Sequence, residues 1–166
     1  MDIFKFAMEK EKFSEDYYRR LAGKTTHKGL KNICNMLADE ENKHYKIVEQ
    51  MSKKISAKVA HTPILSNAKE IFERMRESTE KFNFDISELE LYQKARDIET
   101  ESRNFYLEKS EQVVDAGQKE IFQKLADEEQ KHFILLDKIC DFVARPRWFL
   151  ENAEMYRFND YADGIL

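Results

Sequence analysis

Only two cysteines, two prolines and four glycines occur among the 166 residues. Cys34 and Cys140 stand alone with no CxxC pair, which excludes a four-cysteine iron or zinc module and gives no disulfide framework. Such cysteine usage fits a reducing, cytoplasmic setting. Turn formers this scarce, in a chain rich in Glu, Lys, Leu, Met and Ala, describe a mostly helical protein with no need of strands. No stretch approaches the roughly 20 apolar residues of a membrane span, and the opening MDIFKFAMEKEK lacks the apolar run of a signal peptide, so a soluble chain is expected. The formal net charge is -4 with the signs interspersed, which leaves no electrostatic footprint for nucleic acid or an anionic membrane. The length suits one domain with a substantial core.

Hydrophobic periodicity places four long helices. Phe4, Ala7, Ser14, Tyr18 and Leu21 share one face of a helix over about 2–22, which Gly23 and Lys24 stop. Leu30, Ile33, Leu37, Val48 and Met51 advance along a second helix, about 28–53. A third, about 87–114, opens with Ser87 and Glu90 in capping-box spacing and turns Leu91, Ala95, Ile98, Ser102, Phe105 and Tyr106 inward. The fourth follows Gly117, carries Ile121, Phe122, Leu125, Leu136, Ile139 and Val143, and ends at Arg145-Pro146. Between the second and third lies a long crossover, about 56–86, with a short helix near 67–81 started by Ser66. The aromatic extension 146–166 is expected to form a short helix that packs on the bundle or meets a second subunit.

The chain repeats itself. LADEENKH at 37–44 returns as LADEEQKH at 125–132, and a shift of 88 positions superimposes residues 1–55 on 89–143 without gaps. Ala7 then falls on Ala95, Glu11 on Glu99, Ser14 on Ser102 and Tyr18 on Tyr106. Two duplicated helix pairs bury their apolar stripes against each other, which predicts an all-α four-helix bundle over about 1–145 with a pseudo-two-fold axis.

The repeated positions include residues that do not belong in a core. Glu41 and His44 interrupt the apolar seam of the second helix, and Glu129 and His132 that of the fourth. Glu11 lies between Ala7 and Ser14, and Glu99 between Ala95 and Ser102. Four buried, unneutralised carboxylates would each cost several kcal/mol, against a net domain stability of about 5–15 kcal/mol. No Lys or Arg shares these stripes near the Glu positions, whereas two divalent cations would balance four carboxylates. Residues three apart share a helix face, so Glu-x-x-His can address one ion or two adjacent ones. A single ExxH in a Glu-rich helix is ordinarily a solvated face. Two copies on apolar seams, each preceded by an inward Glu on the helix before, favour metal.

Other polar residues carry less. His27 and His61 read as surface or loop residues. Asp39, Glu40, Asp127 and Glu128 read as mostly solvent-facing acids, except that Glu40 could reach His132 and Glu128 could reach His44 to fix the ring tautomers. Cys34 and Cys140 read as core fillers.

The segments AMEKEKFSEDYY (7–18), LADEENKH (37–44), ARDIETESRNFY (95–106) and LADEEQKH (125–132) resemble the rubrerythrin-like branch of the ferritin-like superfamily. The likeness spans all four helices, and its doubled ligand set is the one described for dimetal carboxylate bundles. It implies a ferritin-like fold and a di-iron site held by Glu11, Glu41, His44, Glu99, Glu129 and His132. Glu41 and Glu129 would bridge, with Tyr18 and Tyr106 as neighbours of the ligands. Two features depart from the family pattern. The four-cysteine rubredoxin domain is missing, so electrons would come from an external donor such as a rubredoxin-type protein. Ser102 stands where a further Glu takes part in redox-linked movement of an iron.

These readings converge on a cytoplasmic di-iron oxidoreductase that reduces hydrogen peroxide or O2, with manganese or zinc as other metals the donor set accepts. Ferroxidase or iron-storage chemistry is the nearest alternative, and a non-catalytic metal-stabilised helical module the third. A homodimer is expected, and the 54–84 connection would permit a swapped one.

Overall fold

A computed structural model describes residues 2–152. Among them are six helices and no strand: α1 (Ile3–Lys24), α2 (Lys28–Ser52), α3 (Ile64–Glu77), α4 (Ile86–Gln112), α5 (Ala116–Ala144) and α6 (Pro146–Glu151). The three-residue links 25–27 and 113–115 fold α1 against α2 and α4 against α5 as antiparallel hairpins. The hairpins meet through α1 with α4 and α2 with α5, which completes a ferritin-like four-helix bundle. No helix is long and apolar enough to cross a membrane among the described residues.

Each long helix begins on a side-chain cap. Asp2 accepts from the Phe4 amide at 2.9 Å, and Asp115 from that of Gln118 at 2.8 Å. At α2 the cap is His27, whose Nδ1 accepts from the Gly29 amide at 3.1 Å. Its ring proton therefore sits on Nε2, 2.7 Å from Glu80. A Cβ on Gly29 would displace the flexible terminal methyl of Met75 and come within 3.1 Å of Ile71 Cγ2, so α3 lies close against the start of α2.

Three sequence expectations need correcting. Helix α4 is capped by Asp85, which accepts from the Glu88 amide at 2.9 Å, and Ser87 only donates to that carboxylate at 2.5 Å. A carboxylate one residue before the helix is the stronger acceptor, so the Ser87/Glu90 box does not form. The crossover helix spans Ile64–Glu77 rather than 67–81, because Pro63 starts it and the buried stripe Ile64, Leu65, Ala68, Ile71, Phe72, Met75 begins at once. On α4 the interior stripe is Tyr92, Ala95, Glu99, Ser102, Tyr106 and Ser110, with Leu91, Ile98 and Phe105 only half-buried on its flank. Ile121 on α5 is likewise half-buried.

The apolar interior falls into two clusters. One holds Tyr18, Leu21, Leu30, Ile33, Leu37, Ile139 and Phe142; the other holds Ala7, Val48, Met51, Tyr106, Phe122 and Leu125. Along every long helix, Glu11, Glu41, Glu99 and Glu129 lie in sequence between residues of one cluster and residues of the other. A charged layer is thus held between two dry ones.

Helices α3 and α6 close the end of the larger cluster. Phe142 of α5 packs edge-on to Phe72 at 5.3 Å, Phe82 at 5.2 Å, Phe84 at 5.4 Å and Phe149 at 6.0 Å. The expected C-terminal helix is α6, with Phe149 and Leu150 buried, and residues 153–166 of the extension lie outside the described residues. Because one ring joins the crossover, α5 and α6, Phe142→Ala should cost about 3–5 kcal/mol in urea denaturation. A loss under about 1 kcal/mol would show that this end is not one packed unit.

Candidate metal centre

Glu11 on α1, Glu41 and His44 on α2, Glu99 on α4, and Glu129 and His132 on α5 meet at the centre of the bundle, none more than 4% exposed. The interior stripes that carry them alternate in steps of three and four, so all six side chains point inward at one level. The closest contacts cross between hairpins. His44 Nδ1 lies 2.7 Å from Glu129 Oε1, and His132 Nδ1 lies 2.8 Å from Glu41 Oε1. The two imidazoles face each other at 5.6 Å, 12° from parallel.

Two overlapping ligand sets result. Around His44 stand Glu11, Glu41 and Glu129; around His132 stand Glu41, Glu99 and Glu129; in each set one donor atom per residue lies within 4.8 Å of all the others. Glu41 and Glu129 belong to both sets, whereas Glu11 and Glu99 serve one each. The outer carboxylates are held by tyrosines of the opposite hairpin. Tyr106 donates to Glu11 at 2.5 Å, and Tyr18 donates to Glu99. Burial and the adjacent carboxylate push both phenols well above their usual range, so they stay protonated and remain donors.

The donor set fits a pair of cations. One oxygen each of Glu11, Glu41, Glu99 and Glu129 is buried with no hydrogen-bond partner, although buried carboxylate oxygens are normally satisfied. Without metal, protons must do the neutralising. Burial, and next the charge of Glu129, raise Glu11 and Glu41 and lift Glu99 to about 8. Burial opposes charge on Glu129 too, but hydrogen bonding to Glu99 and the charge of His44 hold it well below the ordinary carboxylate value. The same pairing overrides burial at His44, which rises to about 9.

Around this core the structure sorts the remaining expectations. Asp39 and Asp127 are exposed, but Glu40 and Glu128 are buried rather than solvent-facing, because residues 58–63 of the crossover lie over them. Glu40 comes within 3.9 Å of His132 Nε2, an atom otherwise unpartnered. Burial works against its charge, yet His132 and His44 keep Glu40 below its ordinary value. Glu128 does not mirror the histidine contact: it pairs with Lys131 at 3.4 Å, as Glu40 does with Lys43 at 3.6 Å, but no ion pair within 4.0 Å joins it to His44. His61 is exposed and accepts from Lys131 at 3.0 Å, while both cysteines are buried and free. Thr62 went unnoticed in the sequence: its hydroxyl donates to Glu40, and nothing periodic in the crossover marks it.

A family model described as rubrerythrin matches residues 2–140, a span that includes all six central residues. The chain belongs to the rubrerythrin family. Rubrerythrins usually bind a di-iron centre, and the Glu/His cluster here is one that could hold metal. No match was found among curated proteins or among solved structures.

The protons held by this rubrerythrin-family cluster set a pH signature. Glu99 binds its proton more tightly folded than unfolded, so metal-free stability falls as pH rises from 4.5 toward about 8. His44 has the same sign, its contribution present below 6.5 and lost through about 9. The melting temperature of the metal-free protein should therefore fall between about pH 5 and about pH 9, and metal loading should release protons to an indicator dye. A metal-free melting temperature that climbs over this range contradicts the protonated cluster.

Proposed function

We propose that this chain is a di-iron oxidoreductase that reduces hydrogen peroxide or O2 with electrons from an external donor, such as a rubredoxin-type protein. The reading is carried by the two four-residue sets that share Glu41 and Glu129, with an unpartnered oxygen on every carboxylate. Glu11, Glu41, Glu99, Glu129, His44 and His132 are the ligands in this proposal. An iron pair bound there supplies two electrons to an O–O bond, and carboxylate and imidazole donors suit iron or manganese, with zinc a competitor in purified material.

The chain's own residues supply position and charge balance. Four carboxylates match the charge of two divalent ions, which leaves no net charge on the six residues and their ions once Glu11, Glu41, Glu99 and the histidines have given up their protons. Glu41 and Glu129, present in both sets, would be shared by the two ions. Glu11 and Glu99 each cap one side, and the hydroxyls of Tyr106 and Tyr18 fix their rotamers while keeping their own protons. Glu40, next to His132 Nε2, can accept from that ring and orient Nδ1 toward the centre. The apolar clusters on either side keep bulk water from the reacting groups. Ser102, buried on α4 one turn from Glu99, offers a hydroxyl rather than a further carboxylate.

Anaerobic Fe(II) titration should saturate at two ions per chain in the wild type. Glu41→Ala and Glu129→Ala should each abolish binding of the pair, because each removes a group common to both sets. Stopped-flow mixing of the reduced protein with peroxide and, separately, with O2 then assigns the oxidant. Faster reaction with peroxide supports a peroxidase, and much faster reaction with O2 moves the assignment to oxidase or ferroxidase chemistry. Wild-type protein that binds no metal above nonspecific levels refutes the reading altogether.

A further inference from the structure

We propose that the pocket of about 240 Å³ between α2, α5 and residues 58–63 is the portal through which hydrogen peroxide reaches the dimetal site, arriving on the His44 side. The proposal rests on the di-iron reading above. Four observations carry it. First, His44 lines this pocket while its Nδ1 contacts Glu129, so one ring spans pocket and cluster. The larger groove of about 700 Å³ near Met51 and Gly117 touches none of the six central residues.

Second, the two sides of the cluster differ in access. His44 retains 4% exposure and borders the pocket, whereas His132 has none and does not. The duplication makes the ligands nearly symmetric, and the crossover, which follows only the first hairpin, breaks that symmetry.

Third, the charges of the lining oppose one another, Lys43, Lys46 and Lys58 against Glu40 and Glu128, so no one-signed field draws an ion in, and Ile47, Val59, Ala60 and Pro63 offer an ion no solvation. A small neutral molecule needs neither.

Fourth, Glu128 lines the pocket and its Oε2 is buried without a hydrogen-bond partner. Hydrogen peroxide donates hydrogen bonds and satisfies such an acceptor once the side chain turns toward the pocket, whereas dioxygen cannot. Glu128 is thereby a positioning residue for the oxidant, and Thr62, bonded to Glu40, ties the strap over the pocket.

The test uses iron-loaded, reduced protein with nitric oxide as a neutral spectroscopic probe of access, alongside peroxide. Ala60→Trp places bulk in the pocket from an exposed, non-helical position, and Ile47→Phe, at a position that lines this pocket but not the larger groove, does so independently from α2. Ser56→Trp is the control, on the same strap but lining the other groove. Iron content per chain is measured in every variant. Both plugs should slow nitrosyl formation by about tenfold or more, equivalent to about 1.4 kcal/mol of added barrier, while the control keeps the wild-type rate. Glu128→Leu should slow the peroxide reaction and leave the nitric oxide rate unchanged. Wild-type nitric oxide rates in both plugs, with iron content intact, overturn the portal alone. No nitrosyl signal in iron-loaded wild type removes the di-iron reading and the portal together. An equal loss of both reactions in Glu128→Leu overturns the positioning role.

Discussion

Four carboxylates in the dry centre of a helical bundle can persist only while protons or cations neutralise them, and much of this molecule follows from that constraint. The helices must be long enough to place apolar residues above and below the charged layer. On α2 that means Leu30 to Leu37 on one side of Glu41 and His44, and Val48 and Met51 on the other. The groups that touch the carboxylates must also be unable to lose their own protons. Tyr18 and Tyr106 satisfy this, since burial beside a carboxylate removes any tendency of the phenol to ionise.

Duplication supplies the second theme. At the ligands the two hairpins exchange equivalent contacts: histidine to shared glutamate, tyrosine to outer glutamate, each across the pseudo-two-fold axis. Away from the ligands the equivalence fails. The crossover covers one flank, α3 and α6 thicken one end, and of the equivalent Glu40 and Glu128, each paired with the lysine three residues on, only Glu40 gains Thr62 and a neighbouring imidazole. A nearly symmetric Glu/His core thus sits inside an asymmetric shell.

The six central residues were legible because a polar side chain on an apolar seam is conspicuous, and the repeat displayed each one twice. Where a stripe is itself polar, that signal weakens. On α4 the interior face runs through Glu99, Ser102, Tyr106 and Ser110, so hydrophobicity alone pointed one residue away, to Ile98 and Phe105, and passed over Tyr92. Asp85 was missed as a cap because Ser87 and Glu90 offered the spacing but not the stronger acceptor. Burial of Glu40 and Glu128 was hidden for another reason: it depends on where the crossover lies, and an irregular segment has no period to read.

The contacts across the axis also bear on biosynthesis. His44 finds Glu129 85 positions later in the chain, and His132 finds Glu41 91 positions earlier. Both ligand sets include Glu129 of α5, so a nascent chain that has emerged only through α4 presents carboxylates and one imidazole but neither set complete. The hairpin of α1 and α2, stabilised by local contacts, can fold first, and it carries Glu11, Glu41 and His44, three of the four members of one set. The last long helix to leave the ribosome, α5, is therefore the one that completes both sets at once.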